Sequence, residues 1–294
     1  MPIPLHESLE EQVMAAQAKA SQLRSPGRYL LLASLGGAFI GVAVVLLLMV
    51  TGPLNTEHSA WTKLMQGLVF GVALTLVLFA GSELCTSNMM TMVQGLSRRR
   101  VSLVGAAMVI ALSFVGNLLG SAVFAWLVHS AGVLDVAADP GNPAPGAAML
   151  RSLLGTKLTE SPEDLFFRGL LCNFLVCLTV WMAGRTRSDG AKIALVFWGL
   201  LAFVGSGFEH VVANMTCFSL GLFARVPGVT AEAFANNLLF VGLGNLVGGG
   251  LLVGAIYSVI ARPSAPKTAQ HNSSAPAMAS ADTQTAVGTS TDKA

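Results

Sequence analysis

The sequence predicts an all-α membrane protein with six transmembrane helices in two inverted three-helix repeats, in which helices two and five are broken. The first indication is composition, since 53% of the 294 residues are hydrophobic and only 11% are charged, against about 25% in soluble domains. The second is that the apolar runs 64–96 and 193–224 exceed the roughly 20 residues that one crossing needs. The third is a repeated set of polar residues inside these two runs.

The repeat consists of a glutamate, an Asn-Met pair five residues later, and a Gly-Asn pair in a later apolar segment. Its members are Glu83, Asn88-Met89 and Gly116-Asn117 in the first half, and Glu209, Asn214-Met215 and Gly244-Asn245 in the second. Two unrelated packing segments explain the pattern less well, because the same residues recur in the same order and spacing. Interrupted helices at corresponding positions of two halves indicate a transport site.

The elements follow in chain order, beginning with an amphipathic helix over residues 5–23 at the membrane surface. The six spans are predicted at residues 29–51, 64–96, 101–129, 165–184, 193–224 and 233–261. Gly52-Pro53 is expected to end the first span. The Pro-, Gly- and Ala-rich residues 130–164 are expected to form the longest connection.

The sequence divides the chain into three predicted regions. They are an N-terminal cytoplasmic segment with the amphipathic helix (1–28), a transmembrane channel domain (29–261) and a disordered cytoplasmic tail rich in Ala, Ser and Thr (262–294). An odd number of spans per repeat requires the two repeats to be inverted. Twelve lysines and arginines fall on the side of the termini and five on the other, which predicts a multi-pass inner-membrane protein with both termini in the cytoplasm.

Composition also excludes several classes of partner. The net charge of +2 is too small to indicate a nucleic-acid partner, so the lipid bilayer is the expected surroundings. The four cysteines lie in apolar segments without a CxxC pair, and they indicate neither disulfides nor a metal site. No cofactor is expected.

The interruptions predict an anion pathway, because a helix that begins within the membrane presents free N–H groups and a positive dipole end. Thr86 can contact a substrate there, although capping of the half-helix would use the same side chain. His210 is the histidine deep within a span, and an ionisable residue at that depth indicates function. Its imidazole changes charge near neutral pH, so a proton relay is one hypothesis; a hydrogen-bonded structural histidine is the alternative.

The two glutamates are expected to support the loops, because a free carboxylate would repel an anion. Each would accept backbone N–H groups or pair with a basic group, and the asparagines five residues later would assist. These loop supports are Glu83, Asn88, Glu209 and Asn214. Bulky apolar residues on either side of the polar centre could form constrictions that resist hydrated ions, and ordinary helix packing explains them equally well. They are Phe70, Leu74, Leu84 and Phe203.

With these residues in view, the sequence resembles the formate/nitrite transporter family over roughly residues 10–261. The similarity is carried by GSELCTSNMM (81–90), CNFLVCLTVWMAGRT (172–186), GFEHVVANMT (207–216) and GNLVGG (244–249). These motifs are most similar to the nitrite-channel branch, so nitrite is the first expected substrate and formate the second. The resemblance implies an aquaporin-like protomer, a homopentamer with one pore in each subunit, and small anions and protons as partners.

The resemblance also implies roles for individual residues. It implies a central His210 with Thr86, constrictions at Phe70, Leu74, Leu84 and Phe203, pathway and loop-bracing roles for Asn173 and Asn245, and a Lys157 that attracts anions at the outer mouth. Cys85 departs from the phenylalanine that is frequent in formate channels, and the smaller side chain is expected to widen the cytoplasmic constriction.

Three alternatives to a nitrite channel remain open from the residues. A channel for formate, another small monocarboxylate or hydrosulfide uses the same features. A neutral-solute pore of the aquaporin type also has paired half-helices, but it usually carries Asn-Pro-Ala loops, where this chain has Asn-Met. An enzyme built on Glu209, His210 and Cys217 is disfavoured, because a second ligand set at metal spacing is not apparent.

Overall fold

The computed structural model describes residues 1–136 and 144–261, and within these residues all regular structure is helical. The all-α prediction is therefore confirmed. In chain order the helices are α1 (Leu5–Gln22), α2 (Pro26–Thr56), α3 (Thr62–Gly81), α4 (Cys85–Ser97), α5 (Leu103–Ser130), α6 (Pro145–Thr159), α7 (Pro162–Gly184), α8 (Asp189–Gly205), α9 (Val211–Phe223) and α10 (Ala231–Ile260).

Five of these helices, α2, α3, α5, α7 and α10, are long and apolar enough to cross a membrane in the described part of the chain. Predicted span five consists of α8 and α9, of 17 and 13 residues, each shorter than a single crossing requires. The count of six crossings therefore remains a prediction. Predicted span two consists of α3 and α4, so both broken helices occur where the polar interruptions lie in the sequence.

A glycine in the left-handed region begins each break. Gly81 has φ +78° and Gly207 has φ +75°, and the chain then runs extended until α4 and α9 begin. A Cβ added at either glycine meets nothing within 4 Å. The backbone conformation, and not a lack of space, therefore requires glycine at these two positions.

The first break is hydrogen-bonded by the side chain of Asn117 on α5. Its Nδ2 donates to the carbonyl oxygens of Ala33 at 2.7 Å and Glu83 at 2.8 Å, and its Oδ1 accepts from the Cys85 N–H at 2.9 Å. Two of these bonds serve backbone groups of the break itself, the Glu83 carbonyl and the Cys85 N–H, and the third links the break to the Ala33 carbonyl of α2. Buried backbone away from water requires such partners.

Asn245 on α10 makes the same contacts at the second break. Its Nδ2 donates to the carbonyl oxygens of Gly169 at 2.7 Å and Glu209 at 3.1 Å, and its Oδ1 accepts from the Val211 N–H at 3.0 Å. Equivalent residues thus make equivalent bonds in the two halves. The repeat in the sequence is a repeat in the structure.

The expected end of the first span at Gly52-Pro53 is wrong, and the long connection is partly helical. α2 continues through Gly52-Pro53 to Thr56; a proline in the last turn of a helix removes one N–H donor without preventing the preceding turns. The connection 130–164 contains the 15-residue helix α6. This helix buries Met149, Leu150 and Leu154, and it begins with a proline at its first position, where the missing N–H costs nothing.

The N-terminal amphipathic helix occurs as α1, which packs Leu9, Val13 and Ala16 into the interior. Its leading residues are tied to the end of α7, because Ile3 and Arg185 exchange two hydrogen bonds of 2.9 and 3.0 Å. The division of the chain at residue 28 remains a prediction. The predicted tail, 262–294, lies outside the described residues.

We expect Gly207→Ala to destabilise the protein by roughly 1–2 kcal/mol, because an alanine is strained in the left-handed conformation. Gly205→Ala is the matched control, since this glycine ends α8 and an added Cβ there also meets nothing within 4 Å. Thermal unfolding of both purified variants in detergent measures the difference. Equal midpoints for the two variants would contradict the conformational argument.

Candidate functional site

A lysine pairs with the glutamate at the first break. Lys19 Nζ on α1 lies 2.6 Å from Glu83 Oε2, and the same oxygen accepts from Asn88 Nδ2 at 3.0 Å and from the Tyr29 hydroxyl at 3.3 Å. Glu83 is 7% exposed. Of the two arrangements left open by the sequence, pairing with a basic group is the one present here. The cation comes from a helix outside the predicted spans.

The second break has a corresponding cluster. Lys157 Nζ on α6 lies 2.6 Å from both carboxylate oxygens of Glu209, and Asn214 Nδ2 donates to Glu209 Oε2 at 2.7 Å. Asn214 also donates to Asn237 Oδ1 at 2.8 Å. Burial lowers the pKa of the Lys157 ammonium, but the charge of Glu209 outweighs burial and leaves that pKa above its usual value. Lys157 is therefore protonated, and its ammonium group is paired with the carboxylate of Glu209.

His210 and Thr86 meet between the two breaks. His210 is the N-cap of α9 and its Nδ1 accepts from the Ala213 N–H at 3.2 Å. Since Nδ1 accepts, a neutral imidazole carries its proton on Nε2. That nitrogen lies 3.2 Å from Thr86 Oγ1, in the first turn of α4. The polar residues Thr86 and Asn88 thus lie at the start of a helix and not in a loop.

All four residues predicted to form constrictions lie around one small cavity with His210. The cavity measures about 10 Å³, which is the lower limit of the room that one water molecule needs. On one side the rings of Phe70 and Phe203 meet edge to face with centroids 5.8 Å apart. The predicted constriction residues at its wall are Phe70, Leu74, Leu84 and Phe203.

A larger polar cavity, which we call the vestibule, adjoins the same pair of phenylalanines. It measures about 130 Å³ and has His210 in its wall. Its charged residues are Lys63, Lys157, Glu160, Arg168 and Glu209. Burial, followed by the charge of Glu209, raises the pKa of Glu160.

Sequence reasoning did not single out Lys63, Glu160 or Arg168 as site residues. For Lys63 a signal was present in the sequence, because it precedes Phe70 by seven residues and so lies on the same face of α3. Glu160 and Arg168 lie eight residues apart on either side of the start of α7, and their approach depends on the tertiary structure.

Asn173 and Asn245 line neither the small cavity nor the vestibule. Asn173 Nδ2 donates to the carbonyl oxygens of Thr86 at 3.1 Å and Asn245 at 2.7 Å, so both amides brace backbone next to the site. Cys85 does not line the small cavity, whereas its neighbour Leu84 does. Thr86 also lines neither cavity, so of the predicted pathway residues only His210 and Lys157 are at the wall of one of these two cavities.

Within residues 1–136 and 144–261, no group of three or more His, Cys, Asp or Glu side chains could hold a metal ion. The chemistry that the site offers is hydrogen bonding and electrostatics. His210 is at the wall of both the small apolar cavity and the charged vestibule, and Thr86 is hydrogen-bonded to it.

The sequence of this chain matches a known protein family. The family described as "Formate/nitrite transporter" matches residues 6–259. The "Nitrite transporter NirC" of Salmonella typhimurium is 36% identical over 245 residues, covering 83% of this chain and 87% of the relative. The "Probable formate transporter" of Methanothermobacter thermautotrophicus is 37% identical over 256 residues, covering 83% and 92%.

Solved structures agree with the fold. The chain named "FNT family ion channel" superposes with a TM-score of 0.80 at 33% identity, covering 87% of this chain and 99% of that one. The "Pentameric formate channel with formate bound" has a TM-score of 0.66 at 29% identity, covering 81% and 98%.

Lys157→Met should destabilise the protein by about 3–5 kcal/mol, because it leaves the Glu209 carboxylate buried without a partner cation. The double variant Lys157→Met/Glu209→Gln should recover most of this loss. Lys192→Met is the control, since Lys192 pairs with Asp189 at the surface, where an ion pair contributes at most about 1 kcal/mol. Thermal unfolding in detergent compares the three. A double variant no more stable than Lys157→Met would contradict the pairing argument.

Proposed function

Because this chain belongs to the formate/nitrite transporter family, we propose that it is a membrane channel for small monovalent anions with nitrite as its principal substrate. The observation that carries this proposal is the arrangement of Phe70, Leu74, Leu84 and Phe203 around His210 in one cavity of about 10 Å³. An ion with a full hydration shell does not fit such a cavity, whereas a partly dehydrated small anion can exchange water for hydrogen-bond donors.

The helix starts favour an anion at this point. Thr86 lies in the first turn of α4 and His210 caps α9, and their side chains are 3.2 Å apart. Two helix N-termini, each with a partial positive charge, therefore converge on the same place. We infer that the anion accepts a hydrogen bond from His210 Nε2 at the cavity wall, and a second from Thr86 Oγ1 once the contact between these two side chains opens.

The geometry constrains how His210 can relay a proton. Sharing the Nε2 proton with the anion redirects it from Thr86 Oγ1 but leaves the Nδ1 contact with the Ala213 N–H in place. Donating a proton outright requires the imidazolium form, in which Nδ1 also carries a proton and can no longer accept from the Ala213 N–H. A fully buried donor that loses its acceptor costs about 1–3 kcal/mol, and the partly buried Ala213 N–H costs at most this much. The proposed relay is therefore coupled to the capping of α9.

Formate is the second candidate substrate, because a relative named as a probable formate transporter is 37% identical, about as similar as the nitrite transporter at 36%. We also propose that the protein is a homopentamer in the inner membrane with both termini in the cytoplasm. The pentamer is supported by the structural neighbour that is named pentameric, and the orientation by the excess of lysine and arginine on the side of the termini.

Uptake of nitrite, formate and glycerol into proteoliposomes tests this function. We expect nitrite flux to exceed formate flux, with both above that of protein-free liposomes, and no glycerol-driven swelling. Glycerol permeation without anion flux would assign the protein to the neutral-solute class. If formate flux exceeds nitrite flux, formate is the principal substrate and nitrite the second.

His210→Asn should remove the rise of nitrite flux at lower pH while leaving assembly intact. Asparagine is a favoured N-cap and can still accept from the Ala213 N–H, but it does not titrate. Proteoliposome flux at two pH values measures the effect, and His129→Asn, at the exposed end of α5, is the control. If the pH dependence of flux survives in His210→Asn, it does not come from His210, and protonation of the anion itself would explain it.

Phe203→Ala should open the aromatic side of the small cavity and increase the leak of ions that the wild type excludes. Phe197→Ala is the matched control, because Phe197 is on the same helix and lines neither cavity. Chloride conductance of channels in planar bilayers measures the leak. Equal conductance in the two variants would leave Phe203 with a packing role alone.

A further inference from the structure

The vestibule contains three cations and two carboxylates, and one cation has no partner among the described residues. Lys157 is bound to both oxygens of Glu209, and Arg168 donates to Glu160. Lys63 makes neither an ion pair nor a hydrogen bond with any residue in 1–136 or 144–261. The excess positive charge of the vestibule therefore belongs to Lys63.

Lys157 is poorly placed to hold an incoming anion. Its Nζ is 2.6 Å from both oxygens of Glu209, and the two side chains are 10% and 7% exposed. An anion at Lys157 would have to displace a buried carboxylate from its cation, which is strongly unfavourable, or approach that carboxylate closely. Anion binding at this lysine would therefore weaken the support of the second break.

Lys63 is placed on the route to the constriction. Lys63, Gln66 and Phe70 are spaced i, i+3 and i+7 on α3 and all line the vestibule, so they form one stripe along the helix. Seven residues of helix correspond to roughly 10 Å along the axis. An anion at Lys63 is thus about two helical turns from the Phe70–Phe203 pair.

Gln66 lies between these two residues. It is 2% exposed, and its Nε2 has only a weak contact with the Met149 sulfur at 3.8 Å. A sulfur acceptor binds an amide proton weakly. The amide can therefore turn a donor toward an anion that has left Lys63 and has not yet reached Phe70.

We propose that Lys63 captures the incoming anion in the vestibule and that Gln66 Nε2 is its next hydrogen-bond donor, whereas Lys157 is a charge-balanced support of the break. This inference rests on the proposed function and adds the residues that select an anion at the vestibule mouth. The ligand class is a small monovalent anion with oxygen acceptors, such as nitrite or formate.

Initial nitrite uptake by intact cells, measured over a range of ionic strengths, tests the inference. For Lys63→Gln we expect the KM to rise roughly five- to tenfold and the ionic-strength dependence to flatten, because an attracting charge raises the local anion concentration and salt screens it. Lys63→Arg should retain both properties. Gln66→Leu should lower the maximal rate while leaving the ionic-strength dependence in place.

Two comparisons separate Lys63 from other cations. Arg225→Gln removes the same charge from a residue that lines a different cavity, and it should behave like the wild type. Lys157→Gln/Glu209→Gln removes the buried pair without changing net charge, and its uptake should keep the dependence on ionic strength. Size-exclusion chromatography of each purified variant verifies the assembly.

The inference is overturned if Lys63→Gln, assembled like the wild type, keeps the wild-type KM and ionic-strength dependence. It is equally overturned if the Lys157→Gln/Glu209→Gln variant is the one that loses the dependence. An assembled wild-type protein that takes up neither nitrite nor formate would contradict the proposed function itself. These outcomes distinguish failure of the capture site from failure of the transport assignment.

Discussion

The rest of the structure depends on one constraint, which is that backbone leaving a helix among apolar residues must find hydrogen-bond partners within the protein. Asn117 and Asn245 meet this requirement, since each donates one bond and accepts one bond at a break and donates a second bond to a neighbouring helix. With those groups satisfied, α4 and α9 can begin at a fixed position and orientation. The location of Thr86 and His210 follows from where these two helices begin.

The same breaks bury a carboxylate each, and each carboxylate needs a cation. Lys19 and Lys157 provide it from α1 and α6, two helices that are not among the candidate membrane spans. The N-terminal helix and the helix of the long connection therefore have the same task in the two halves. Each of them precedes the first span of its repeat, so each structural repeat consists of five helices, α1–α5 and α6–α10, with the broken span counted as two.

This arrangement separates the charges that hold the protein together from those available to a permeating anion. The buried pairs are neutral overall, and the small cavity beside His210 has almost entirely apolar walls. In the proposed channel, the attraction for an anion at the centre comes from helix ends and two polar side chains, which favour negative charge without binding it tightly. Weak binding at the centre is compatible with rapid release on either side.

The sequence by itself determined the helical class, the two breaks and the inverted repeat, because these depend on apolar run length and on local residues such as Gly81 and Gly207. The four residues expected at constrictions from the family resemblance do lie around one cavity, and their role as constrictions stays a prediction. Only the tertiary structure decided the partners, since Thr86 and His210 are 124 residues apart and Lys157 and Glu209 are 52 apart. Periodicity specifies the face of a helix and not the distant side chain that meets it. The pairing of Lys157, and the lack of a partner for Lys63 among residues 1–136 and 144–261, became apparent only in the folded chain.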